Sequence, residues 1–397
     1  MFEGKNILVG VTGGIAAYKS AYLVRELKKN NADVRVMMTE SAQRFVSPLT
    51  FETLSENKVA IDLFGDENSS PTAHIEWARW PDIIVISPAT ANTIGKIANG
   101  IADNLVTTTL LATTEKVLLC PAMNVEMYNN SLFQQNVNKL ANAGFKFVEP
   151  DAGELACGEV GMGRLAEPQH IVEELKYQLL QSNELRHKKI LISAGPTLEA
   201  IDPIRHLTNR SSGKMGYALA EEAAMRGAQV TLVSGPTMLP ELNRVSRINV
   251  KTAEQMATEV KSKFDNHDVV IMAAAVADYR PAKQSLQKIK KSNKSLTIEF
   301  EPTEDILATL GRQKSHQFLV GFALETNNGI EHAIEKLQRK MCDLIVLNNP
   351  LEEGAGFELD TNKITLIDKD KMPQDYPVMS KKAAAKKILD AVQLGLQ

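Results

Sequence analysis

KNILVGVTGG at residues 5–14 returns as KKILISAGPT at residues 188–197. Each copy is a short aliphatic run ending in a glycine-containing turn, the pattern of a buried strand handing over to a helix. The echo extends outward from both copies. Ala32-Asp33-Val34 is answered by Ala228-Gln229-Val230, and DIIVI at 82–86 by DVVIM at 268–272. In the first half strands are expected at 7–11, 32–38, 82–86, 116–119 and 145–148, with helices at 16–29 and 93–112. Strands alternating with helices predict an α/β class, and the restart at Lys188 predicts two doubly wound units in series.

With 397 residues and 44% hydrophobic content, the chain can supply a core to each of two domains. The polar stretch 181–189, after a helix expected at 168–180, is the natural boundary. A net charge of −3 offers no global basic surface for nucleic acid, so small molecules are the expected partners. Cys120, Cys157 and Cys342 stand far apart without CxxC spacing, which argues against a disulfide framework or a structural zinc site. No apolar run approaches membrane-spanning length and no leader pattern opens the chain, so a cytoplasmic protein is expected.

Chemically useful residues gather where regular patterns lapse. GVTGGIAAYK at 10–19 puts Gly13 and Gly14 between a strand and a helix, where backbone N–H groups and the helix dipole favour an anion. SPATANT at 87–93 adds Ser87 and Thr90 at a second strand-to-helix edge, and two such edges facing one crevice suit a phosphorylated cofactor. His74 lies on a polar approach to Trp77 and Trp80, and Asn124 lies in PAMNVEM at 121–127. Cys157 belongs to the glycine-rich ACGEVGMGRLAE at 156–167, whereas Cys120 is bounded by strand residues and reads as a small core side chain.

Together these motifs resemble the flavin-containing cysteine decarboxylases over about the first 180 residues, with Tyr128 where that family usually has tryptophan. The resemblance implies a flavodoxin-like, flavin-binding domain over 1–182 that decarboxylates 4′-phosphopantothenoylcysteine, with FMN at Gly13, Gly14, Ser87 and Thr90. Direct loss of CO₂ from an acylated cysteine leaves a carbanion with no electron sink. Oxidation of the thiol to a thioaldehyde supplies that sink, and the resulting enethiol must then regain electrons and a proton. By resemblance Cys157 is the proton donor, Asn124 the clamp on the substrate carboxylate, and His74 an acid, base or charge partner.

In the second half GPTLEAIDPIRHLTNRSSGKMG at 195–216 is too polar to be core, and its Ser211-Ser212-Gly213 leads into a helix from Lys214. It lacks the GxxxxGK[ST] spacing of a Walker loop, so a triphosphate must be held differently. AAVADYRPAKQSLQKIKK at 274–291 follows a strand with Asp278, then Lys288, Lys290 and Lys291. Lys336 and Lys340 stand four apart, on one helix face after Gly321-Phe322-Ala323.

The ordered set GPTLEAIDPIR, NRSSGKMG, AAAVADYR with KIKK, and GFALET is similar to the bacterial phosphopantothenate–cysteine ligases, over 188–397. The resemblance implies that the 4′-phosphopantothenate carboxylate attacks the α-phosphate of CTP, and that L-cysteine's amine then displaces CMP from the acyl cytidylate. Lys288 would stabilise the first step, Asn209 would assist turnover of the cytidylate, and Mg²⁺ would neutralise the leaving pyrophosphate. Ala273, Ala274, Asp278, Phe322, Lys336 and Lys340 would belong to the CTP site. So would Thr303, Glu304, Asp305 and Ile306, which align with a turn often written NPDI in relatives.

The two Rossmann-like domains then form an ordered pair, the ligase half feeding the decarboxylase half. The family also implies a homo-oligomer: trimers through the flavin half and dimers through the ligase half give a dodecamer. Two other readings fit the motifs less well. A flavin-binding regulatory or peptidyl-cysteine-decarboxylase protein would leave Cys157 or the second half unexplained, and a dinucleotide dehydrogenase would need the absent GxGxxG.

Overall fold

The computed structural model describes residues 1–63, 72–154, 158, 160–291, 295–325, 327–349, 352, 356, 358–370 and 372–396. The chain divides into two compact units, Met1–Gln181 and Ser182–Gln397. The polar stretch 181–189 is where it divides, and from Ser182 onward it is tied to the second unit. The Ser182 N–H donates to the Met225 carbonyl at 2.9 Å, and Leu185 is buried in that unit's core.

The first unit opens with β1 (Asn6–Val11), α1 (Ala17–Lys29), β2 (Asp33–Met38), α2 (Pro48–Ser55), β3 (Val59–Ala60) and α3 (Ala73–Arg79). It continues with β4 (Ile83–Ala89), α4 (Ala91–Ala98), α5 (Leu105–Ala112), β5 (Lys116–Pro121), α6 (Val125–Asn129), α7 (Ser131–Asn142) and β6 (Lys146–Phe147). A hairpin of β7 (Asp151–Glu154) and β8 (Val160–Arg164) precedes α8 (Pro168–Leu180). The six parallel strands run in the order β3-β2-β1-β4-β5-β6. Counting the two-residue β3, this is the dinucleotide-fold order; omitting it leaves the flavodoxin order.

Side-chain alternation sorts the core. Ile7, Val9 and Val11 of β1 face one buried cluster with Leu23 and Leu27 of α1, while Leu8 faces the other with Ile84, Ile86 and Val106. The helix expected over 93–112 is two helices. Gly100 adopts φ +68° after α4, and Asn104 caps α5, its side chain accepting from the Thr107 N–H at 3.1 Å. Aliphatic content carried the periodicity across that break.

The second unit begins with β9 (Lys189–Ala194), β10 (Leu198–Ala200), β11 (His206–Thr208), α9 (Lys214–Met225), β12 (Gln229–Ser234), β13 (Val245–Asn249) and α10 (Ala253–Phe264). Then come β14 (Val269–Met272), β15 (Tyr279–Pro281), β16 (Phe300–Pro302), α11 (Ile306–Gln313), β17 (Phe318–Leu324), α12 (Gly329–Arg339) and β18 (Leu344–Asn348). β19 (Thr361–Asn362), β20 (Thr365–Asp368), β21 (Pro373–Asp375), β22 (Met379–Ser380) and α13 (Lys381–Gly395) complete it.

Its main sheet runs β13-β12-β9-β14-β17-β18-β20-β21. The first six strands are parallel and repeat the order of the first unit, and β20 and β21 add an antiparallel edge. α9 and α13 cover one face over Ile190, Ile192 and Ile271; α10, α11 and α12 cover the other over Leu191 and Val270.

Asp343 locks the edge of this sheet. Its carboxylate, 5% exposed, accepts from the Leu319 N–H at 2.7 Å, Lys314 at 2.9 Å and Lys369 at 2.6 Å. Burial alone would raise its pKa, but these donors hold it below the ordinary carboxylate value. A depressed folded-state pKa means that the stabilisation is present above the unfolded value and is lost as pH falls through the folded one. Asp343→Asn is expected to cost about 3 kcal/mol at neutral pH, because two ammonium groups lose their partner. Denaturant midpoints of the wild type and variant should converge in acid.

Candidate functional site

In each unit the strand order reverses beside the first strand, so the crevice at the carboxyl ends of β1 and β4, or of β9 and β14, is the expected ligand site. In the first unit Thr12, Gly13 and Gly14 lead from β1 into α1, whose first turn has no side-chain cap. The Thr12 hydroxyl donates to the Pro88 carbonyl at 2.7 Å and accepts from the Thr90 N–H at 3.1 Å, stitching the two turns together. Thr90 in turn caps α4 through the Thr93 N–H. Thr12 was not among the residues singled out from sequence. Its role depends on the adjacency of β1 and β4, which one strand alone does not reveal.

The crevice fits a flavin phosphate on two counts. The Ser87 hydroxyl is buried and has no hydrogen-bond partner among the described residues, nor has that of Thr39 after β2. A Cβ on Gly13 would lie 2.4 Å from the Ser41 Cβ, so only glycine lets the chain pass there, while at Gly14 the Thr90 Cγ2 at 3.6 Å leaves room. Gly13→Ala is therefore expected to weaken flavin retention about tenfold or more, by forcing the turn out of register. Visible absorbance after dialysis measures it.

Asn124 caps α6, its side chain accepting from the Glu126 N–H at 2.8 Å. The β7–β8 hairpin is fastened beside it, with the Met123 N–H bonded to the Gly163 carbonyl at 2.9 Å. Gly163 sits at φ +137°, where a Cβ would meet the Met123 carbonyl oxygen at 2.3 Å. His74 is half-buried on α3, which packs on α5. Cys157 lies outside the described residues. Cys120 is fully buried and burial pushes its thiol pKa up, in keeping with a core side chain. Cys342 is likewise buried, its thiol pushed up to about 12.

In the second unit a cavity of about 940 Å³ opens across the carboxyl edge of the main sheet. It brings together Asn209, Ala273, Ala274, Asp278, Thr303–Ile306, Phe322, Lys336 and Lys340. Lys336 donates to the Phe322 carbonyl at 2.8 Å, and Lys340 pairs with Asp305, which caps α11 through the Ala308 N–H. Burial pushes the Lys336 ammonium below its usual pKa, and the charge of Lys340 acts in the same sense. Asn209 donates to the carbonyls of Ala275 and Val276 at 3.0 and 3.3 Å, so it braces the loop after β14.

The turn at 303–306 explains its departure from the NPDI pattern. The Thr303 hydroxyl is bonded to the Ala277 carbonyl at 2.6 Å, and the Glu304 carboxylate is paired with Lys261 at 2.6 Å. Asp305 alone of these side chains turns to a cavity lysine. Lys288 does not line the cavity. It stands exposed beside Ile289, whose N–H is held by the Asp202 carboxylate at 3.2 Å and whose carbonyl accepts from Arg205 at 3.0 Å. The Arg205 guanidinium holds that carboxyl far below the ordinary range. Lys214, Asn348, Asn362 and Lys381 also line the cavity, and none was singled out as a site residue from sequence. Asn348, Asn362 and Lys381 come from elements remote in the chain from the motifs read in the sequence.

Family models agree with this division: a Flavoprotein model matches residues 1–180, and the model described as DNA/pantothenate metabolism flavoprotein C-terminal domain matches 185–395. A relative in Bacillus subtilis (strain 168), named coenzyme A biosynthesis bifunctional protein CoaBC, is 47% identical over 99% of this chain and 97% of its own. The chain belongs to this coenzyme A biosynthesis bifunctional family. A second member, from Vibrio vulnificus (strain YJ016), is 46% identical over 98% of both chains. The solved C-terminal domain of a coenzyme A biosynthesis bifunctional protein is 44% identical, covering 54% of this chain and 98% of its own, with a TM-score of 0.47.

Among the described residues no helix is long and apolar enough to cross a membrane, and no group of three His, Cys, Asp or Glu side chains could hold a metal ion.

Proposed function

We propose that this bifunctional enzyme of coenzyme A biosynthesis joins 4′-phosphopantothenate to L-cysteine with CTP in its second unit and decarboxylates the product in its first. The single observation that carries the reading is the cavity at the switch point of the second sheet, lined by Lys336, Lys340 and the start of α9. A carboxylate and a triphosphate are both anions, and bringing them within bonding distance requires fixed positive charge. Lys336 and Lys340 hold phosphate oxygens, the aromatic face of Phe322 lies under the nucleotide, and Asn209 fixes the loop against which the acyl cytidylate forms. Mg²⁺ would enter on the triphosphate, since the described residues offer no carboxylate cluster for it.

In the first unit Gly13, Gly14, Ser87 and Thr90 would hold FMN, and Ser87 supports this with a buried hydroxyl that lacks a partner. Bound FMN supplies a two-electron sink and source beside the substrate thiol. Asn124 orients the carboxylate to be lost, His74 serves as a charge or proton partner, and Cys157 delivers a proton to carbon. Assembly as a cytoplasmic homo-oligomer, up to a dodecamer, belongs to the same reading and is checked by mass in solution.

The purified protein is expected to be yellow. CTP, 4′-phosphopantothenate and cysteine should give CMP and pyrophosphate, followed by CO₂, with ATP run beside CTP. A colourless protein that forms no CMP would overturn the proposal.

A further inference from the structure

Lys19 ends the GVTGGIAAYK motif, and its place in the fold runs against two preferences of a lysine. It stands in the first turn of α1, at the positive end of the helix dipole where a cation is disfavoured, and it is 7% exposed. An ammonium is buried there only if partners hold it, and its partners lie 146 and 148 residues further along the chain. The Lys19 Nζ donates to the Leu165 carbonyl at 3.0 Å and to the Glu167 carboxylate at 2.8 Å.

Leu165 to Glu167 directly follow the β7–β8 hairpin, and Glu167 gathers the hairpin's base. Its carboxylate also accepts from Arg164, the last residue of β8, at 2.8 Å, and its N–H donates to the carboxylate of Asp151, the first residue of β7, at 3.2 Å. The Lys19 ammonium, with Arg164 acting in the same sense, holds the Glu167 carboxyl below its ordinary value, so the tie is a charged one at neutral pH. A second, independent contact fixes the hairpin's other side. Besides the bond from the Met123 N–H to the Gly163 carbonyl, a Cβ on Gly161 would lie 2.6 Å from the Val125 Cγ2, so β8 packs closely on the turn that presents Asn124. Cys157 falls between β7 and β8 in sequence.

Resting on the decarboxylase reading above, we propose that Lys19 is a positioning residue for the last step of decarboxylation, the reduction of the enethiol. Its tie to Leu165 and Glu167 holds the hairpin that carries Cys157 in one frame with α1, the helix that starts at the flavin turn, and with Asn124. In that step a hydride comes from the flavin and a proton from Cys157, so that the C=C bond becomes a single bond and oxidised flavin is restored. The oxidation and loss of CO₂ that precede it do not use Cys157, so a loosened hairpin slows only the return half.

The test is anaerobic single turnover of 4′-phosphopantothenoylcysteine by the full chain, purified with its flavin, for wild type, Lys19→Met and Glu167→Ala. Visible absorbance falls as the thiol is oxidised and recovers as the enethiol is reduced. In both variants the fall should keep its wild-type rate within about twofold, while recovery slows about tenfold or more and an enethiol two hydrogens lighter than the product accumulates. The double variant should recover no more than about twofold slower than Lys19→Met, since both changes cut one tie. Equal slowing of both phases, as a general defect of folding gives, overturns the positioning role, and so does an unchanged recovery. Flavin retained through dialysis as in wild type is also expected; its loss would put Lys19 in flavin binding and overturn the proposal. If Lys19→Met misfolds by thermal melting, Glu167→Ala decides alone, since the Glu167 side chain is 43% exposed. Wild type that never bleaches with 4′-phosphopantothenoylcysteine refutes the decarboxylase reading itself, a failure distinct from that of Lys19.

Discussion

Cys157→Ser is expected to lower formation of 4′-phosphopantetheine by about 10²–10⁴-fold, the range for loss of a positioned acid. CMP release from CTP, 4′-phosphopantothenate and cysteine should stay at the wild-type rate. Serine keeps the size of the side chain but offers a far weaker acid, so the enethiol left after CO₂ loss lacks its proton source. The selectivity is a strong test because each unit has its own sheet and core. Flavin absorbance equal to wild type shows that the variant folds; loss of both activities would point to misfolding instead. Full product formation by Cys157→Ser would remove the assignment of Cys157 as donor.

Lys288→Gln should have the converse outcome: CMP formation down by about 10²–10³-fold, with decarboxylation of supplied 4′-phosphopantothenoylcysteine unchanged. The physical question is reach. Lys288 stands outside the cavity on a loop clamped through Ile289 to Asp202 and Arg205. For Lys288 to place stabilising charge on the α-phosphate, its side chain would have to reach the cavity from this loop. A variant with normal CMP formation would transfer that work to Lys336 and Lys340, which already line the cavity.

Strand-and-turn syntax was legible from the chain because parallel strands buried on both faces need continuous aliphatic runs. Both glycine turns were visible for the same reason: a strand that ends at a helix start leaves its glycines adjacent in sequence. The two-residue β3 and the break at Gly100 were not visible, since two residues carry no periodicity and Ile101, Leu105, Val106, Leu110 and Leu111 continue the aliphatic spacing past the break.

The candidate sites divided along the same line. Gly13 could be picked out from its strand-to-helix turn and the pair Lys336 and Lys340 from their shared helix face, whereas Asn209 and Asp305 entered through the motifs that carry the family resemblance. Thr12, Lys214, Asn348, Asn362 and Lys381 could not, because what gives each a place is a neighbour far along the chain. By itself, then, the sequence determined two doubly wound halves and their order, which follow from periodicity and local backbone demands, and it displayed the motifs that carry the family resemblance. Only the tertiary structure decided which side chains share a cavity, that the Lys288 loop lies outside it, and that the buried oxygens at Ser87, Asn348 and Asn362 want partners. Burial and pairing are properties of packed surfaces, and no window of sequence contains both sides of a contact.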